Sequence, residues 1–211
     1  MADEPGKILW QGAILAVQPR AWVWRYKMDN RTHHLTGFNL WLDGEADGEA
    51  GKFSVAISGI QQSKMAFQVG DLARGTAWPV QGKKREVVDF YRAGSLRLLD
   101  RQGHRHNAPQ PFVGAIPAIE VYERRGCRML DAKRWRAACF PCIWANRSRV
   151  EIEYDFGRVK RHRDETFCYG PRSCPLYDMG PPRQVPYKDD YPSEDDGWMD
   201  DLCIEGRGME D

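Results

Sequence analysis

Chemistry in this 211-residue sequence is concentrated in its cysteines. Cys139 and Cys142 form a C-x2-C pair, and 26 residues after Cys142 comes the second pair, Cys168-x5-Cys174. Thiolates are soft ligands, and a C-x2-C pair on a tight knuckle points both sulfurs at one ion. Between the pairs, Val150 to Phe156 alternates apolar and polar residues as a strand does, Gly157 can turn it, and residues 158–167 can return. Such a hairpin brings the pairs together in a zinc-ribbon-like arrangement, and Gly170 and Pro171 ease the wider bend within the second pair. The expectation is a structural Zn2+ site on Cys139, Cys142, Cys168 and Cys174. An iron–sulfur cluster, or plain buried or redox-active cysteines, are alternatives that the spacing leaves open. Cys127 and His162 stand close enough in sequence to replace a ligand, whereas Cys203 is remote. Four thiolates leave no open coordination position, so the ion would hold up the fold and not activate water.

The cysteines lie in a cationic segment. Twelve bases fall between Arg124 and Arg163, and no acid interrupts the stretch from Lys133 to Arg149. Trp135 stands between Arg134 and Arg136, with Trp144 and Tyr154 nearby, a mixture of cation and flat ring suited to tracking phosphates and stacking bases. Arg147, Arg149 and Arg161 extend the set. Nearer the N-terminus, period two puts Arg20, Trp22, Trp24 and Tyr26 on one strand face. They are either core residues or stacking platforms assisted by Arg20 and Arg25. Phe38 and Trp41 have opposite parities on one strand, so one of the two belongs to the core.

These side chains need a scaffold, and residues 7–81 read as short strands separated by turn residues. Ile8 to Tyr26 forms one long first strand bent at Pro19, and residues 34–42 and 53–58 form a hairpin whose connection is the Gly- and acid-rich stretch 43–51. Residues 60–65 suit a short helical turn. Residues 86–99 fit either a last strand or a helix, and residues 101–111 read as a loop at a domain boundary. The expected organisation is a barrel over 1–102, a basic zinc-binding extension over 103–188 and an acidic tail over 189–211. The tail carries ten acids against the single base Arg207, leaving 30 bases and 20 acids in the preceding body, so a net charge of +1 conceals two unlike parts.

The phrase Phe67-x-x-Gly70-Asp71-x-x-x-Gly75, following a β-hairpin, resembles OB-fold nucleic-acid-binding proteins of the single-stranded-DNA-binding and replication-protein-A kind, over roughly residues 7–81. That resemblance implies a mainly β protein with a small OB-like barrel. An SH3-like barrel or small sandwich would share the same short strands and glycine bends. No apolar run reaches membrane-spanning length, and the acidic start carries no apolar leader, so an intracellular, cytoplasmic protein without membrane association is expected. No P-loop, G-x-S-x-G, H-E-x-x-H or paired-carboxylate motif appears, and His33-His34 and His104-x-His106 lack identifiable partners. The reading is a non-catalytic protein for single-stranded DNA or RNA. An acidic tail punctuated by Trp198, Met199, Leu202 and Ile204 could engage a protein partner. The alternative is a structural subunit or adaptor of a larger assembly.

Overall fold

A computed structural model describes residues 6–25, 32–81, 87–101, 114–154 and 159–180. The first strand, β1 (Ile8–Arg25), runs 18 residues and passes through Pro19 without ending. Proline lacks the N–H that a ladder needs, but side chains from the extension bond the backbone around it. Asn146 Nδ2 donates to the Pro19 carbonyl at 2.7 Å and Ser148 Oγ to that of Ala21 at 3.1 Å.

Strand β1 pairs antiparallel with β2 (Thr32–Ala46), with register shifts between Ile14 and Ala16 and between Arg20 and Ala21. An inserted residue moves every later side chain to the other face. Trp10 and Ile14 therefore point inward at even positions, while Val17 and Val23 point inward at odd ones. Strand β3 (Glu49–Ile57) follows after a turn of only two residues, Asp47 and Gly48, at φ 54° and 82°. The expected connection over 43–51 is thus corrected. Both strands continue into it, because Asp-Gly supplies the two positive-φ residues of a tight hairpin turn.

Helix α1 (Gly59–Met65) starts at a capping box, in which Ser58 Oγ accepts from Gln61 N and Gln61 Oε1 accepts from Ser58 N. Beyond it Phe67 and Val69 enter the core. Strand β4 (Leu72–Pro79) then pairs with β1, and β5 (Phe90–Asp100) pairs with β4 and, in parallel, with β3. The segment that the sequence left undecided is this fifth strand. Pairing of β1 with both β2 and β4 closes a ring in the order β1-β2-β3-β5-β4. Gly75 permits the closure: a Cβ there would lie 2.7 Å from the Trp10 ring and 2.9 Å from Leu96. Gly75→Ala is expected to cost about 1–3 kcal/mol as overpacking. It should lower the melting temperature by several degrees in a thermal scan.

The extension adds α2 (Ile119–Arg125), β6 (Arg128–Leu130), α3 (Ala132–Arg134) running into a π-helical turn (Trp135–Cys139), β7 (Ala145–Tyr154) and β8 (Val159–Cys168). Val23–Arg25 of β1 pairs in parallel with Val150–Ile152 of β7, so one sheet continues from the ring through β7 and β8 to β6. The protein is mainly β, and its core is continuous across both parts. Phe38 meets Tyr122 edge to face at 6.0 Å, and Val23, Val150 and Phe167 belong to the same apolar cluster. The expected boundaries at 102/103 and 188/189, with the acidic tail and Cys203, lie outside the described residues. No helix among the described residues is long and apolar enough to cross a membrane.

Candidate functional site

The hairpin gathers the cysteines. Ala145, three residues after Cys142, pairs with Cys168, so the open end of β7–β8 brings the first knuckle beside the second. Cys142 N donates to the Cys139 carbonyl at 3.0 Å, closing the C-x2-C turn, and Cys174 N donates to the Pro171 carbonyl at 3.2 Å. All four sulfur-bearing residues line one cavity of about 10 Å3, together with Leu130, Trp144, Ala145, Gly170 and Tyr177. Among the described residues no group of three or more His, Cys, Asp or Glu side chains already forms a coordination sphere. The four cysteines surround a common cavity without being drawn in on one point.

The donor set nevertheless suits a soft cation. The two knuckles match: Trp144 N–H donates to the sulfur of Cys142, two residues earlier, and Gly170 N–H to that of Cys168, again two residues earlier, at 3.3 Å. Such bonds favour thiolate over thiol. Gly170 allows the second approach, since a Cβ there would stand 3.2 Å from Cys168 Sγ and 3.3 Å from the Trp144 Cβ. Burial pushes the Cys139 thiol up to about 11, helped by the neighbouring Cys168 and Cys174, and Cys142 and Cys168 are raised by burial as well. Arg128 acts oppositely on Cys168, and Arg134 on Cys139. A cavity this size holds one water-sized body, and a water among sulfur and carbon would find few hydrogen-bond partners.

Neither substitute ligand reaches the cavity lining. Cys127 Sγ lies 3.5 Å from His33 Nδ1, and the His33 ring meets Phe167 edge to face at 4.6 Å. His162 Nε2 lies 3.2 Å from Glu151 Oε2.

The cysteine unit docks on the outer face of the ring. Gln18, fully buried, donates from Nε2 to the Phe140 carbonyl at 2.7 Å, and Trp41 packs edge to face on Trp135 and Phe140. Phe38 is the core member of its pair, as the parity argument required. Trp135, expected as an exposed stacking residue, is corrected: it is 5% exposed, enclosed by Trp41 and Phe140 with the Arg147 guanidinium 5.8 Å from its ring. Its neighbours in sequence are cationic, but the π-helical turn rotates the ring inward onto the barrel.

Trp22 and Trp24 do the reverse. The bulges of β1 turn them outward, Trp22 to 46% exposure and Trp24 to an intermediate position, with ring centroids 5.1 Å apart. Trp24 is the direct partner of Glu151 on β7 and Trp22 of His34 on β2. In a parallel pair opposite residues share a face. Arg20, Trp22 and Trp24 therefore lie on the side of the sheet that carries Arg147, Arg149, Glu151 and Glu153. Arg147 and Arg149 both pair with Asp164 across the hairpin, two cations on one carboxylate.

Other candidates scatter. Arg161 stands opposite Ile152 and so takes the other face of the hairpin. Arg134, on α3, meets Asp178 at 3.5 Å, and Arg136 is exposed on the π-helical turn. Arg125 and Arg128 are not surface cations. Arg125 donates to the Tyr169 carbonyl under Trp144, and Arg128 donates to that of Pro171 while lying 3.7 Å from the Tyr177 ring centroid. The Arg25 side chain and Tyr26 lie outside the described residues. Comparison with family models, with curated proteins and with solved structures finds no match.

Proposed function

We propose that this protein binds single-stranded nucleic acid, without catalysing a reaction, on the face shared by β1 and β7. A structural zinc ion on Cys139, Cys142, Cys168 and Cys174 fixes the unit that supports this face. One observation carries the reading: two neighbouring tryptophans turned to solvent in a column beside Arg20, Arg147 and Arg149. Flat rings accept any base by stacking, and guanidinium groups take phosphates in a planar, bidentate fashion. Zinc with four thiolates supplies cross-linking and no reactive position.

The ring is an OB-like barrel on this reading. Its order β1-β2-β3-β5-β4, with α1 between β3 and β4 and a parallel β3–β5 closure, supports that assignment. Barrels of this kind bind oligonucleotides with the face of strands 2 and 3 and the loops after strands 1 and 4, and Trp22 and Trp24 lie at the end of β1 that leads into the first of those loops.

Binding to a fluorescent oligothymidylate at rising salt tests the proposal. If Arg20, Arg147 and Arg149 each neutralise one phosphate, log affinity should fall against log salt with a slope of about −2. A duplex of equal length should bind more weakly. No binding at low ionic strength would remove the proposal. The sharing of Asp164 by Arg147 and Arg149 favours a second reading, an adaptor face for a protein. Its mark is a complex that survives nuclease and high salt.

A further inference from the structure

A second cationic feature lies on the ring away from the tryptophans. Arg74 on β4 and Arg97 on β5 are direct cross-strand partners, and both are exposed. Like charges placed opposite one another weaken a sheet unless something neutralises them. Among the described residues neither guanidinium makes an ion pair or hydrogen bond, although Arg101 nearby reaches Asp71 at 3.4 Å. Continuing the same row across the ring, Arg74 is followed by Gln11 on β1 and then by Glu45 on β2. At ~4.8 Å per strand, Glu45 stands about 10 Å from Arg74, beyond the range of an ion pair.

The backbone around the pair is irregular in a directed way. The β4–β5 register shifts between Arg74 and Thr76 and again between Thr76 and Trp78, and Ser95 and Arg92 on β5 take φ of 49° and 52°. Bulges re-aim side chains, and left-handed backbone at residues other than glycine persists where the surroundings enforce it. Arg92 is also exposed, and Leu9 and Leu99 give apolar shoulders in the adjoining rows. The result is a cationic patch with no internal anion, flanked by carbon surface.

We infer that Arg74 and Arg97 form a second contact site for the phosphates of a single-stranded nucleic acid, separate from the tryptophan face. This inference rests on the nucleic-acid reading above. Paired guanidinium groups suit a polymer of regularly spaced anions better than one carboxylate. The cysteine unit, seated on Gln18 and Trp41, lies between the two sites along β1. From Gln11 to Trp22 the strand spans at most about 36 Å. A trinucleotide cannot bridge that distance, whereas a strand of about 20 nucleotides can reach both sites, within the range that such barrels occupy.

The experiment compares the full-length wild-type protein with an R74A/R97A variant, using oligothymidylates of three and about 20 nucleotides. The longer probe should bind the variant about tenfold more weakly at low salt, with a salt slope shallower by about 1.4. Affinity for the trinucleotide should be unchanged, and the melting temperature equal or slightly raised. R74K/R97K should restore most of the salt slope. Unchanged binding of the longer probe, in a protein whose binding still responds to Trp22→Ala, overturns the second site and leaves the proposed function standing; the pair would then serve an acidic protein. Equal losses for both probes also overturn it, because the arginines would belong to the first site. If wild type binds neither probe, the nucleic-acid reading fails and this inference fails with it.

Discussion

Replacing Cys142 or Cys168 with serine is expected to abolish zinc binding and to lower the melting temperature by roughly 8–16 °C. Loss of a structural metal belongs to the few changes that cost 4 kcal/mol or more, and each kcal/mol moves the transition of a chain this size by about 2–4 °C. Both side chains are buried in the cluster that joins the cysteine unit to Trp41 and the barrel. Losing the ion should therefore loosen the docking of Trp135 and Phe140 and not merely the knuckles. Cys127→Ser is the control, because Cys127 sits beside His33 and outside the cavity lining. Acid should have the same direction of effect. In the metal-free protein Cys139 is raised to about 11 and Cys142 and Cys168 are raised too. Raised values stabilise the thiol form below the ordinary thiol value of about 8.5, and that stabilisation is lost as pH climbs through the folded values. Protons therefore compete with the ion, zinc gains with rising pH, and acidification should release it with uptake of up to about four protons. A chelator dye and elemental analysis read the outcome. A wild-type protein without stoichiometric metal, or a C142S variant that keeps it, would end the assignment.

What could be read from the residues alone follows from how local each signal is. The C-x2-C knuckle and the alternation of Val150 to Phe156 are contained in short stretches, so the hairpin, and the gathering of four cysteines at its base, were legible. Asp47-Gly48 was equally local and was overlooked among other glycines and acids. By contrast, the facing of Trp22 and Trp24 depends on where β1 slips against β2, and an unpaired strand does not reveal a slip. Period two groups the tryptophans correctly and leaves inside and outside open. The burial of Trp135 is also tertiary: its cationic neighbours suggested a surface, while its ring was claimed by Trp41, almost a hundred residues away. Arg125 and Arg128 were counted as surface charge because nothing local announces that a guanidinium will satisfy a buried carbonyl and lie over a ring. Arg74 and Arg97 carried no signal at all, being neighbours only through a register interrupted by two bulges.

Trp22→Ala should weaken binding of single-stranded DNA by about 5–150-fold, the equivalent of roughly 1–3 kcal/mol for one stacked base. The fold should barely notice, since much of the ring is already in water. Trp22→Phe keeps a flat apolar face and should recover part of the affinity. The salt slope separates stacking from charge. Removing a ring leaves the number of neutralised phosphates alone, so Trp22→Ala should shift the line of log affinity against log salt without tilting it. Arg149→Ala should instead tilt it by about 0.7, and its effect will be moderated because Asp164 then has Arg147 to itself. Trp24→Ala mixes both kinds of loss, as that ring is partly enclosed. Trp135→Ala provides the contrast in the other direction. Its ring belongs to the seam between cysteine unit and barrel, so a cavity costing about 3–5 kcal/mol is expected there, and weakened binding would follow melting temperature and not stacking. Quenching of tryptophan fluorescence on titration with oligothymidylate, repeated at several salt concentrations, distinguishes these outcomes. Undiminished affinity in Trp22→Ala would show that the exposed ring is not a base platform, and the β1–β7 face would pass to the adaptor reading.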